Sequence, residues 1–269
     1  MEMRFEHNSF GKRLKSMLKV DFRRMFTMRL FYIMVGICLV MPILILVMTT
    51  TAGGGTSVDP ITGVETTVEM EPITNTWQAV ESISGEGSGM SSDIMSMCNI
   101  NLIFFMAAVL VCLFVTDDFK SGYSKNLFTV RSKKNDYVIS KTLIGFVVGA
   151  FMILAYFIGA IIGGTITGLS FDAGVAGISG VVMCLLSKIF LIAVFVPIYL
   201  AISVAAKQKT WLSIVGSLCI GMLFFMMVPK LTPLDSSLLN VILCLAGGVL
   251  FSAGLGTVSN KILTKTSLV

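Results

Sequence analysis

Apolar residues along this chain gather into long blocks separated by short polar stretches, a pattern of bilayer length rather than of strand alternation. Six blocks stand out: residues 30–48, about 100–115, 143–162, 181–206, 211–228 and 238–255. Each approaches the roughly 20 residues that an α-helix needs to cross a hydrocarbon core. The pattern predicts an all-α polytopic membrane protein with six transmembrane helices, a single membrane domain over residues 1–269. No internal repeat divides it.

Ahead of the first block the period changes. Phe10, Leu14, Met17, Leu18, Phe22, Met25 and Phe26 recur at steps of three or four, while Lys12, Arg13, Lys15, Lys19, Arg23 and Arg24 fill most of the other face. That spacing predicts an N-terminal amphipathic interfacial helix over 8–28, its cations on anionic lipid headgroups and its aromatics in the acyl boundary. Glu2, Glu6 and Asp21 interrupt any signal-peptide pattern, and no small-residue cleavage site precedes Thr49. The first block is therefore expected to remain as an anchor.

Composition agrees with a membrane solvent. The chain is 55% hydrophobic and 13% charged, with a mean hydropathy of +0.89, about half the charge of an ordinary soluble domain. The net charge of +5 invites a nucleic-acid reading, but its distribution argues otherwise. Of the 20 Lys and Arg, 18 fall before the first block, between the second and third, between the fourth and fifth, or after the sixth. Only Lys188 and Lys230 lie elsewhere. The positive-inside rule then makes both termini cytoplasmic in a multi-pass cell-membrane protein. Nucleic acid is not an expected partner.

The segment 49–97 carries no Lys or Arg but holds Asp59, Glu65, Glu69, Glu71, Glu81, Glu86 and Asp93, and reads as an acidic extracellular loop. Its opening "TTTAGGGTS" is too glycine-rich for immediate helix. The stretch "ITNTWQAVESI" suggests a short helix with Thr76 as its cap.

Motifs for intrinsic chemistry are lacking. The single histidine, His7, supports neither a metal site nor a triad. Cys38, Cys98, Cys112, Cys184, Cys219 and Cys244 are scattered singly, without metal-ligand spacing. There is no GxxxxGK[ST] loop, HExxH or GxSxG. No catalytic residue, cofactor or metal is expected in this chain. Energy-dependent work requires a borrowed engine.

The second and third blocks flank a charged island at 117–141, "DDFKSGYSKNLFTVRSKKNDYVISK". Phe119, Tyr123 and Leu127 stand at i, i+4 and i+8, an aromatic-rich stripe suited to docking a cytoplasmic partner. Asp117 and Asp118 precede it, where acids favour a helix N-terminus. This island resembles the loop after the second span in permeases of the ABC-2 type. The matching residues are Asp117 and Asp118, Gly122 with Lys125 and Asn126, the basic turn Arg131, Ser132, Lys133 and Lys134, and Tyr137 with Lys141. Aspartates stand where glutamate is common in the family, and Tyr123 where threonine or serine is common. The layout of interfacial helix, six spans and loop extends the resemblance over the whole chain.

The resemblance implies an ABC-2 permease-like fold in which 117–141 is a cytoplasmic coupling loop. It implies that Asp117, Asp118, Phe119, Gly122, Tyr123, Lys125, Asn126 and Leu127 engage a cytoplasmic ABC ATP-binding subunit. Two copies of that subunit, bringing ATP and Mg, would act with a second permease subunit, identical or homologous. The implied setting is a bacterial cell membrane and the implied cargo an antimicrobial or lantibiotic-like peptide, exported or resisted, or a hydrophobic drug.

Within the blocks, Lys188 and Pro197 are the residues that ask for a reason. Lys188 either lies on a translocation path or dimer interface, or snorkels to the outer interface from a span that begins at Ile189; the second reading is favoured. In that reading 173–187 forms a shallow external helix. Pro197 is expected to kink the fourth span. Gly145/Gly149 and Gly159/Gly163 are GxxxG pairs that allow close helix approach, within one subunit or across a dimer.

Three further function classes fit the sequence less well than a permease. An intramembrane enzyme or an ion-coupled secondary transporter needs carboxylates or histidines at depth, and the spans offer none. A membrane sensor or assembly protein could use the same loop for docking without transport. Coupled ATP hydrolysis with movement of a substrate separates that class from a permease.

Overall fold

The computed structural model describes residues 10–51, 55–58, 65–68, 73–81, 100–130, 134–173, 177–225 and 227–265. Most of the acidic segment's carboxylates, the basic turn at 131–133, His7 and Cys98 lie outside these residues. In chain order the helices are α1 (Phe10–Thr27), α2 (Arg29–Thr51), α3 (Leu102–Lys120), α4 (Tyr123–Val130), α5 (Lys134–Thr167), α6 (Gly177–Ala206), α7 (Thr210–Phe225), α8 (Val228–Leu231) and α9 (Leu238–Lys265). A two-stranded antiparallel hairpin, β1 (Gly55–Val58) with β2 (Glu65–Val68), follows α2.

Among the described residues, five helices are long and apolar enough to cross a membrane: α2, α3, α5, α6 and α9. This is a multi-pass helical membrane protein. The sixth expected span corresponds to α7, which has only 16 residues. At 1.5 Å per residue it covers about 24 Å, short of a hydrocarbon core of about 30 Å. The helix stops because the chain turns through Met227 into α8, where Pro229 suits a helix start and no helix interior.

Helices α3, α5 and α6 form the buried heart of the bundle. Phe104, Leu110, Val148, Met152, Ile192, Phe195 and Tyr199 lie there almost without exposure. α9 packs along α6, α2 along α5, and α7 against α3 and α6. α2 and α9 leave most of their surface uncovered. α1 buries Met17, Asp21 and Met25 against the bundle and leaves Lys12, Lys15, Lys19 and Arg23 exposed.

Both GxxxG pairs serve packing inside this chain. A Cβ on Gly159 would stand 2.1 Å from the Leu39 carbonyl oxygen and 2.7 Å from Pro42 Cγ, and one on Gly163 3.0 Å from Ile43 Cα. Gly145 and Gly149 meet Val196 and Ile192 of α6 in the same way. Small residues thus let α5 lie close to α2 on one side and α6 on the other.

At the acidic end, 76–79 is a short 3₁₀ helix whose cap is Asn75 rather than Thr76. Asn75 Oδ1 accepts from the Trp77 N–H at 3.1 Å, and Gln78 Oε1 accepts from the Asn75 N–H at 3.2 Å. This capping box outcompetes Thr76, whose side chain fills the space above Gly164 instead. The Tyr156 hydroxyl, donating to the Ala79 carbonyl at 3.0 Å, ties the segment to α5.

Gly159→Ala is expected to lower the melting temperature in detergent sharply, because the obstacle is backbone; overpacking of this kind costs about 1–3 kcal/mol or more. Gly36→Ala, with open space around the added carbon, should leave it unchanged. Equal melting temperatures for the two variants would refute the close α2–α5 approach.

Candidate functional site

The basic ends of α1, α3 and α5 meet in a buried cluster of opposite charges. Lys141 on α5 is 1% exposed at its side chain, and its Nζ lies 3.1 Å from Asp21 Oδ1 on α1 and 2.6 Å from Asp118 Oδ2 on α3. Arg24, one turn after Asp21, places NH1 2.6 Å from Asp118 Oδ1. The remaining capacity is filled too: the Tyr137 hydroxyl donates to Asp118 Oδ2 at 3.0 Å, and the Ser140 hydroxyl to Asp21 Oδ2 at 2.7 Å. Two carboxylates thus face two cations, and the Lys141 ammonium also sits 3.8 Å from the centre of the Phe114 ring.

Burying one such charge alone is expensive, and removing one partner of a buried pair costs about 3–5 kcal/mol. A neutral, fully hydrogen-bonded set avoids that cost only while its three helices stay in register. A second pair repeats the link two turns earlier on α1: Arg13 Nε lies 3.0 Å from Asp136 Oδ2 in the first turn of α5. Arg24 also lies 4.2 Å over the Tyr123 ring at the start of α4. Burial works against the charged form of Arg24, but the attraction and hydrogen bond of Asp118 outweigh it, and the guanidinium is held above its usual pKa. Desolvation raises the Tyr123 phenol as well.

These contacts redistribute the eight residues expected to engage the ATPase, of which Phe119, Tyr123 and Leu127 were expected to form an exposed stripe. Asp117 is 61% exposed at its side chain and reaches Arg24 NH2 at 3.8 Å. Asp118 and Phe119 are buried in the last turn of α3. Ser121 and Gly122 then break the helix, with Gly122 at φ +74°, a left-handed conformation that glycine adopts without strain. Tyr123 opens α4, half-buried, and Leu127 packs half-buried against the core. The continuous stripe of Phe119, Tyr123 and Leu127 therefore does not form: the break at 121–122 re-aims the chain and turns Phe119 inward. Nor do Asp117 and Asp118 begin a helix; they end one. Among the described residues, what remains outside is polar, namely Asp117, Lys120, Ser121, Lys125, Asn126 and Thr129.

Lys188 corrects its expectation as well. It is 0% exposed, and α6 runs unbroken from Gly177 to Ala206, so residues leading to Ser187 form no separate shallow helix. Its Nζ donates to the Thr232 carbonyl at 3.3 Å and to Thr232 Oγ1 at 3.0 Å, just after α8. The chain after α8 supplies acceptors over Lys188, so the ammonium has no need to snorkel. Pro197 is buried further along α6. Nine residues apart on one helix, the two side chains point to opposite sides. Lacking an N–H, Pro197 leaves the Ala193 carbonyl without its helical donor; Ser252 Oγ on α9 donates to it at 3.4 Å.

Asp21 is a cluster member that no motif singled out, and Lys141 stood out only with Tyr137 as the lead into the third span, not as an ion-pair partner. Asp21 carried a signal nonetheless: Met17, Asp21 and Met25 share one helical stripe, so an acid stands in an apolar face. Lys141 and Ser140 are adjacent, and only the tertiary meeting of α5 with α1 gives them a common partner in Asp21.

Long apolar helices fastened at one end by a buried, charge-balanced joint make this a multi-pass helical membrane protein. The chain belongs to the ABC-2 family of transporter proteins: the family model described as "ABC-2 family transporter protein" matches residues 18–228. Members of this family are permeases that work with cytoplasmic ATPase subunits. No curated protein and no solved structure matches the chain.

Lys141→Met and Asp118→Asn should each destabilise the detergent-solubilised protein by about 3–5 kcal/mol. The double variant keeps Asp21 opposite Arg24 and should cost clearly less than the sum. Strictly additive losses in thermal unfolding would show that the cluster is not a coupled unit.

Proposed function

We propose that this chain is the permease half of an ATP-driven exporter in a bacterial cell membrane. Its basic end, with both termini, faces the cytoplasm, as the positive-inside rule requires of the Lys and Arg distribution. α7, short as it is, then completes a sixth crossing with the turn that follows it, and α1 lies along the inner interface with Lys12, Lys15, Lys19 and Arg23 toward anionic headgroups. Two ATPase subunits dock from below, and a second permease subunit, identical or homologous, completes the complex. The 117–141 segment acts as the coupling element.

The observation that carries this reading is Asp118, buried and held by cations from both α1 and α5. α3 ends at Lys120, two residues after Asp118, and α4 follows across a two-residue break. A push on α4 therefore reaches α1 and α5 through one rigid joint. The surface offered to the ATPase is the polar tip formed by Asp117, Lys120, Ser121, Lys125 and Asn126, with Gly122 setting its angle. Phe119, Tyr123 and Leu127 brace that tip from inside. Acidic residues of the extracellular segment favour a cationic peptide as cargo, an antimicrobial peptide in particular. A hydrophobic drug is the other cargo compatible with the apolar interior.

Purification in mild detergent should bring a stoichiometric ATP-binding subunit with this chain. Lys125→Glu, at an exposed position, should lose most of that subunit without changing the melting temperature, whereas Phe119→Ala should lower the melting temperature itself. An ATPase-free protein that retains transport would refute the proposal, as would an association insensitive to Lys125→Glu.

A further inference from the structure

On the outer side of the bundle, away from the ion cluster, α5 and α9 stand apart over α6 and leave an open groove. It consists of two adjoining depressions of about 350 and 420 Å³ that share Thr142, Leu143 and Ser252. Volumes of this order are those of ligand pockets. Its floor is Phe190 and Ala193 of α6, widened by Gly248, where a Cβ would stand 2.7 Å from Ala193 Cβ. The rims are apolar and uncovered: Leu143 is 40%, Leu245 45% and Val249 63% exposed. The few hydroxyls in it are already used. Thr142 donates to the Val138 carbonyl, Ser252 to Ala193 and Thr257 to Gly254, so the walls offer hydrocarbon rather than hydrogen bonds.

The two ends of this groove differ. Toward the acidic end it stays apolar, with Leu245 and Phe146. Toward the basic end it opens beside Asn135 and Thr257, and Lys261 stands exposed one turn beyond Thr257 on α9. Lys134, next to Asn135, is engaged elsewhere: its ammonium donates to the Leu263 carbonyl at 2.7 Å and lies over the Phe128 ring. No Asp or Glu occurs anywhere in α9, and the one acid in the first turn of α5, Asp136, is turned inward to Arg13. A long apolar trough whose mouth carries a lysine and neutral polar groups but no acid complements a phospholipid with an anionic headgroup.

We infer that the α5–α9 groove is a binding site for one anionic phospholipid of the leaflet at the basic end, its acyl chain over Ala193 and Gly248 and its phosphate at Lys261. Basic pockets between membrane helices recognise anionic headgroups in this way. The site is separate from the cationic face of α1 and does not depend on the direction or cargo of transport. A lipid there wedges α9 against α5 beside Ser252, the residue that supplies the hydrogen bond missing at Pro197.

The test uses full-length protein in vesicles containing phosphatidylglycerol with a photoactivatable acyl chain, and the labelled peptides are mapped. Label is expected on 142–146 and 245–253. Unlabelled phosphatidylglycerol should compete about fivefold better than phosphatidylcholine, the increment expected for one lysine near an anionic surface. Ala253→Trp, filling the exposed wall, should abolish label at this site. Lys261→Glu, at a solvent-facing position that the fold does not need, should remove the preference while leaving the label. Three results would overturn the site: label spread evenly over α2 and α9, equal competition by both lipids, or efficient disulfide formation between two copies of an Ala253→Cys variant, which would make the groove a subunit seam.

Discussion

One ammonium group organises the basic end of this molecule. Lys141 sits where α1, α3 and α5 converge, and its charge is tolerable there only because Asp21 and Asp118 reach it from two other helices. The dependence is mutual, since neither carboxylate could remain buried without a cation. Hydrophobic matching alone would let these apolar helices slide and rotate against one another. A charge set that must close completely permits one arrangement. Arg24 extends it to Tyr123, and the Arg13–Asp136 pair extends it back along α1.

The other end of the bundle is assembled differently. There the constraints are steric and backbone-based: Gly159 and Gly163 against α2, Gly164 beneath Thr76, and the capping box at Asn75. Lys188 contributes a charged anchor, holding the chain after α8 through Thr232. The basic end is thus a rigid electrostatic joint, while the acidic end is a lid of short elements laid over close-packed glycines. Such a division suits a permease in which force enters on one side and a path opens on the other.

Much of this was legible in the residues themselves. Bilayer-length apolar blocks, the amphipathic period before Leu30, and the island at 117–141 announced a membrane bundle of this family. Less legible was how the island folds. A spacing of four predicts a stripe only where the helix is continuous, and Ser121–Gly122 interrupts it, so Phe119 belongs to α3 and turns inward. Lys188 escaped for a related reason. Its acceptor lies 44 residues further on, in a turn that hydropathy reads as outside. Ser252 and Pro197 are likewise partners only in three dimensions. Asp21, by contrast, was readable as an acid inside an apolar stripe, and its meaning lay in that misfit rather than in any motif.

Coupling through the buried joint is the central claim, and transported cargo per ATP hydrolysed in a reconstituted complex tests it most directly. The comparison is between the native permease and a Lys141→Met form that still assembles with its ATPase. The joint predicts that hydrolysis continues while cargo movement per ATP falls severalfold, since the polar tip is intact but no longer tied to α1 and α5. An unchanged ratio, with the variant folded and assembled, would mean that force travels by another route and that the cluster serves stability alone.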